Sequence, residues 1–78
     1  MVEAYILIST EPGTAQEIFE NVKEVKNVKT IEAVTGSYDL VAKIEADSLE
    51  SLTEIVFSKI RGLSGVTSTS TLTVVDFQ

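Results

Sequence analysis

An α+β sandwich of order βαββαβ is predicted for this chain by three observations. The sequence is 78 residues long with no linker or low-complexity break, so it reads as one domain over residues 1–78. Its apolar residues alternate or run continuously in four short segments and recur at helical spacing in two others. The two halves also repeat one plan, a strand, a capped helix and a strand, as an approximate internal duplication.

The first strand is Val2-Glu3-Ala4-Tyr5-Ile6-Leu7-Ile8-Ser9, too short for a helix and apolar enough for a central position. Glu11-Pro12-Gly13 breaks it. Thr14-Ala15-Gln16-Glu17 has the form of a capping box, and Ala15, Ile18, Phe19, Val22 and Val25 then mark one face of a helix of about three turns. Val28 to Thr35 and Tyr38 to Glu45 return to alternation, joined by a turn at Gly36-Ser37, which makes a β-hairpin. Asp47 or Ser48 caps a second helix with an apolar face of Leu49, Leu52, Ile55, Val56, Ile60 and Leu63, ending near Gly62. Gly65 precedes a last strand from Val66 to Phe77. Right-handed crossovers in both βαβ units give a four-stranded antiparallel sheet with both helices on one face, the ferredoxin-like plait.

That arrangement leaves one sheet face bare. If Ala4, Ile6, Ile8, Leu40, Ala42 and Ile44 meet the helices, then Tyr5, Leu7, Val34 and Val41 point away. Thr69, Thr71, Thr73 and Val75 are expected to join them from the last strand. Large apolar patches are rare on soluble monomers, so this surface predicts self-association, most simply a two-fold homodimer of the dimeric α/β-barrel type. The plainer alternative is that the threonines serve β propensity and the aliphatics are tolerated.

Composition removes several function classes. The chain has no cysteine and no histidine, which excludes disulfides and the usual zinc ligand sets, so neither metal nor cofactor is expected. Nor is an activated nucleophile: serines and threonines are plentiful, but no base accompanies them. An enzyme is not expected. Net charge is −6 and the six basic residues are scattered, so no nucleic-acid surface is expected either. No run approaches a membrane span or has the form of a secretory signal, and a cytoplasmic location is expected.

One segment has the chemistry of a ligand site: Thr35-Gly36-Ser37-Tyr38-Asp39-Leu40. A glycine turn exposes backbone N–H groups to a carboxylate, Asp39 offers an acceptor to an ammonium, and Tyr38 supplies a wall and a hydroxyl. Together these suit a free amino acid. The same residues also make an ordinary hairpin turn in which Asp39 fixes the geometry.

Val34-Thr35-Gly36-Ser37-Tyr38-Asp39-Leu40 is similar to the valine-x-glycine-x-tyrosine-aspartate hairpin of the Lrp/AsnC (feast/famine) effector-binding domain, also called RAM. Ile60-Arg61-Gly62-Leu63-Ser64-Gly65-Val66-Thr67-Ser68-Thr69-Ser70-Thr71 resembles that family's entry into its last strand, and the likeness spans essentially the whole chain. The resemblance implies dimers formed through the sheets, rings of dimers such as tetramers of dimers, and amino acids or related molecules bound in clefts between dimers. It implies ligand contact at Gly36, Ser37, Tyr38 and Asp39, and it matches Thr69 and Thr71 to the family's threonine pair. Full-length members place a helix-turn-helix domain first, whereas this sequence opens on the first strand. The expectation is therefore a stand-alone sensing module, with two alternatives behind it: a structural adaptor that co-assembles with full-length regulators without an effector, and last a small ferredoxin-like enzyme acting in an inter-subunit cavity.

Overall fold

The computed structural model describes residues 1–77. Strands β1 (Val2–Thr10), β2 (Val28–Ala33), β3 (Leu40–Ala46) and β4 (Val66–Thr73) form one sheet in the order β2-β3-β1-β4. Every neighbouring pair is antiparallel. Helices α1 (Ala15–Lys23) and α2 (Leu49–Ile55) make the two crossovers, and α2 runs on into a π-helical turn over Val56–Ile60. This is the predicted ferredoxin-like α+β plait.

One stripe holds the two layers together. Ala4, Ile6 and Ile8 of β1 stand opposite Ile44, Ala42 and Leu40 of β3, and all six are fully buried. From the helices, Ile18, Val22, Leu52, Val56 and Ile60 close over them, with Phe19, Ile31, Ile55 and Leu63 packed at the margin. Burying each of these aliphatic side chains contributes about 1.5–3 kcal/mol. Leu52, Val56 and Ile60 recur every four residues, a spacing that drifts around a regular α-helix. The wide turn, closed by Arg61 N–H donating to the Val56 carbonyl at 2.8 Å, offsets that drift and keeps all three inward.

Three local expectations are corrected. The capping box does not form: Thr14 has a helical backbone (φ −108°, ψ −8°) and no side-chain cap bond. Its hydroxyl instead donates to the Glu11 carbonyl at 2.7 Å. Leu49, expected on the inner face of α2, is 56% exposed as the first residue of the helix; the cap is Ser48, whose Oγ accepts from the Ser51 N–H at 3.1 Å. The third concerns β4: Thr69 and Thr71 stand opposite Ile8 and Ile6, so they lie at the rim of the helix-covered side, and Thr73, opposite Ala4, lies with them. Leu72 and Ser70, opposite Tyr5 and Leu7, share the open face instead. Val75 falls beyond β4, beside Val2 and Leu49 and away from Tyr5.

Gly65 enters β4 at φ +100°, and a Cβ there would lie 2.9–3.1 Å from Thr14 and Ile18. Gly36 has φ +115° with open space around it. Gly65→Ala therefore combines backbone strain with overpacking and is expected to destabilise by roughly 2–4 kcal/mol in urea unfolding. Gly36→Ala meets only the backbone term, and about 1 kcal/mol is expected.

Candidate functional site

Alternation in the β1–β3 ladder sends Glu3, Tyr5 and Leu7 to the open face, where they meet Glu45, Lys43 and Val41. The neighbouring ladders extend these pairs into rows across the sheet. One row runs Thr30, Lys43, Tyr5, Leu72 and the next Glu32, Val41, Leu7, Ser70. Tyr5 and Leu72 are 40% and 53% exposed, while Leu7 and Val41 are half-buried between them. Val34, also 39% exposed, borders this surface next to the hairpin. The centre of the face is thus aliphatic and aromatic. Apart from Glu32 at the β2 edge, its charges lie to one end, where Lys43 Nζ is 3.9 Å from Glu3 and 5.6 Å from the Tyr5 ring centroid, and Lys29 pairs with Glu45 at 3.6 Å.

The hairpin loop at the other end is fixed by long-range contacts. The Asp39 N–H donates to the carbonyl of Ile8, the residue paired with Leu40, at 2.9 Å, just before β3 begins. The Asp39 Oδ2 accepts from the Thr10 N–H at 2.8 Å and from the Thr10 hydroxyl at 3.1 Å. These bonds lie at the Ser9/Thr10 register shift, where β1 slips against β4 and a backbone donor needs another acceptor. The Asp39 side chain therefore ties the hairpin to the end of β1, while its carbonyl accepts from the Val34 N–H at 2.9 Å across the turn. The Tyr38 hydroxyl reaches Ser70 Oγ at 3.0 Å, so this side chain spans β1 to reach β4 on the open face. Gly36 and Ser37 remain exposed at the tip.

Two more loops gather at this end. The Glu11 N–H donates to the Gly65 carbonyl at 2.8 Å, and Gly65 packs against Thr14. Beside the hairpin a shallow groove is lined by Ala15, Gln16, Phe19, Glu20, Ala33 and Leu40. Among the described residues no group of acidic side chains is arranged to hold a metal ion. No helix there is long and apolar enough to cross a membrane.

The sequence profile of the Lrp/AsnC ligand binding domain matches residues 3–76. The chain belongs to this family. An uncharacterized helix-turn-helix-type transcriptional regulator of Pyrococcus horikoshii is 33% identical over 72 residues, a match covering 88% of this chain and 48% of the relative. The chain thus spans about half the length of the curated relatives it matches. A crystal structure of a Thermus thermophilus protein, TTHA0845, superposes with a TM-score of 0.94 at 33% identity, covering 100% of this chain and 98% of that one. A Neisseria meningitidis transcriptional regulator solved as a complex with L-Met shares the fold, with a TM-score of 0.86 at 21% identity over 96% of this chain and 50% of that one. As a member of the Lrp/AsnC ligand-binding domain family, the chain is a regulator-related effector-binding module.

Of the residues expected to contact ligand, Gly36 and Ser37 are open to a partner, whereas Tyr38 and Asp39 are already hydrogen-bonded within the chain. Tyr5, Leu7 and Val41 form one patch, bordered by Val34; Thr69, Thr71 and Val75 lie apart from it. Thr10, Ser70, Lys43 and Leu72 went unremarked in the sequence as members of these sites. Leu72 carried a usable signal as the lone large apolar residue between Val66 and Thr73. Nothing local marked Thr10.

Asp39→Ala strips the acceptor from the half-buried Thr10 N–H, and a loss of about 1–3 kcal/mol is expected in chemical unfolding. Thr10→Val keeps the backbone bond and removes only the hydroxyl, so about 0.5–1.5 kcal/mol is expected by the same measurement.

Proposed function

We propose that this chain is an amino-acid-responsive oligomerising module that works by binding, not by catalysis. In this reading two copies pack their open sheet faces together, dimers assemble further into rings, and the effector sits in a cleft between subunits beside the hairpin. The observation that carries it is the continuous patch of Tyr5, Leu7, Val41 and Leu72 on a face that no helix of its own chain covers. Such a patch is uncommon on a protein that stays monomeric.

The chemistry of the hairpin supports an effector with both charges. Exposed N–H groups around Gly36-Ser37 suit a carboxylate. Asp39 uses Oδ2 for both of its Thr10 bonds, which leaves Oδ1 for an ammonium group. The L-Met complex of the Neisseria relative is in keeping with an amino acid of this kind. The proposed setting is the cytoplasm, with no direct nucleic-acid contact by this chain, and full-length Lrp/AsnC regulators are proposed as further partners. The length of those relatives, about twice the matched segment, motivates a second reading in which the module only co-assembles with them and binds no effector.

A thermal-shift screen of the twenty amino acids separates the two readings. At a hundred times its Kd, a ligand adds about 2.7 kcal/mol, which for a domain of this size raises Tm by roughly 10–20 °C. A flat response to all twenty at millimolar concentration would leave the adaptor. For the sheet-face dimer, Tyr5→Glu is expected to lower the mass measured by light scattering, since it places a carboxylate inside the apolar contact. A wild-type chain that scatters as a monomer at micromolar concentration removes the dimer altogether.

A further inference from the structure

Helix α2 and the wide turn that extends it are apolar on two sides. Leu52, Val56 and Ile60 are buried in the core, yet Leu49 and Phe57 stand 56% and 67% exposed on the solvent side. Thr53 lies midway between them, and the three line one groove together with Glu50 and Glu54. Thr53 is short, so the ridge has a hollow at its middle, walled by Leu49 and Phe57. The Thr53 hydroxyl donates to the Leu49 carbonyl at 3.0 Å and needs no partner from outside. Beyond Phe57, the Arg61 guanidinium lies 5.8 Å from the ring centroid.

The charges beside this hollow are arranged for a cation that the chain does not supply. Glu50, in the first turn, favours the helix start, but Glu54 one turn later repels it. Among the described residues neither carboxylate takes part in an ion pair. The last turn of α2 holds no basic residue to offset them. An apolar hollow bordered by two uncompensated carboxylates favours a ligand that is apolar at its centre and positive at its flank.

We propose that the outer face of α2 docks a basic amphipathic helix of another protein. One large apolar side chain of that helix fills the hollow over Thr53, between Leu49 and Phe57. Lysines or arginines a turn apart on its flank reach Glu50 and Glu54. A helix matches this surface because its side chains recur at three and four residues, the spacing of the ridge and of the carboxylate pair alike. A second copy of the chain does not match it. Net charge is −6, and the exposed positions of α1 include Glu17, Glu20 and Glu24, so self-contact would bring carboxylates to carboxylates.

This contact goes beyond the proposed function and uses different atoms, since α2 stands between the groove and the sheet whose far side carries Tyr5, Leu7 and Val41. The probe is a fluorescein-labelled, alanine-based helical peptide of about 18 residues, with leucines along one face and lysines on both sides of them. Fluorescence anisotropy against the full chain, in about 0.1 M salt to screen long-range attraction, is expected to show saturable binding. Phe57→Ala removes a wall and Thr53→Lys fills the hollow, and each is expected to weaken binding about tenfold. Glu50→Gln with Glu54→Gln is expected to weaken it about tenfold as well. Glu17→Gln with Glu20→Gln, the same change of charge on α1, is expected to alter it by less than about twofold. All these side chains are exposed, so the variants test the surface and not the fold. Equal weakening by the two glutamine pairs, affinity unchanged by both Phe57→Ala and Thr53→Lys, or no binding at millimolar protein overturns the proposal. A smaller mass for Phe57→Ala in sedimentation without peptide would place a second copy on this face and overturns it too. Tyr5→Glu is expected to bind the peptide with wild-type affinity, so failure of the sheet-face dimer reads out separately.

Discussion

The period of two in the central strands governs this molecule. Ala4, Ile6 and Ile8 must all face the helices, because with Ile44, Ala42 and Leu40 they form the floor of the core. Once that parity is fixed, Tyr5, Leu7, Val41 and Lys43 have no choice but the other face. A polar open face would need serine or threonine at these positions. Instead the sequence keeps both sides of β1 apolar, and a single chain has helices for only one of them. The two-sided character of β1 and the one-sided supply of helices together create the surface on which the proposed self-association rests.

Legibility in the sequence followed the strength of that period. Strands β1 and β3 are central, and Ala4, Ile6, Ile8, Leu40, Ala42 and Ile44 fill their inward positions, so these facing residues were readable; the start of β3 was not, since Tyr38, read as its first residue, precedes a strand that opens at Leu40. Strand β4 was not, because its alternation is serine against threonine and either set could face the core. What decides it is the pairing with β1, offset by the register shift at Ser9/Thr10, and no local pattern encodes that offset. The error placed Thr69 and Thr71 on the wrong side and overlooked Leu72.

The candidate ligand site divides along similar lines. The glycine hairpin was visible as a turn because a positive φ leaves a compositional mark. The roles of Tyr38 and Asp39 were not visible, since each depends on a partner about thirty residues away, Ser70 and Thr10 respectively. Thr14 shows the converse: a favourable local motif was overridden because the close approach of Gly65 and the Glu11 carbonyl occupy the hydroxyl. Local rules hold at Ser48, where nothing from outside the helix competes.

Lys43 poses the sharpest physical question for any contact across the open face. A lone ammonium taken out of water costs several kcal/mol, enough to cancel much of the gain from burying Tyr5, Leu7 and Val41. Here the charge is provided for in advance, with Glu3 at 3.9 Å on one side and the Tyr5 ring beneath it. A carboxylate and an aromatic face together spread the positive charge while leaving the aliphatic centre dry. The other charges on this face sit toward the end remote from the hairpin, around Glu3, Glu45 and Lys29, or at the edge of the sheet, as Glu32 does on β2. A partner sheet laid across the face by a two-fold axis therefore meets a dry middle with ionic ends, the distribution found in interfaces that are apolar at the core and polar at the rim. The Tyr38–Ser70 bond crosses that same surface and links the hairpin to β4, so one side chain of the candidate site also borders the proposed contact.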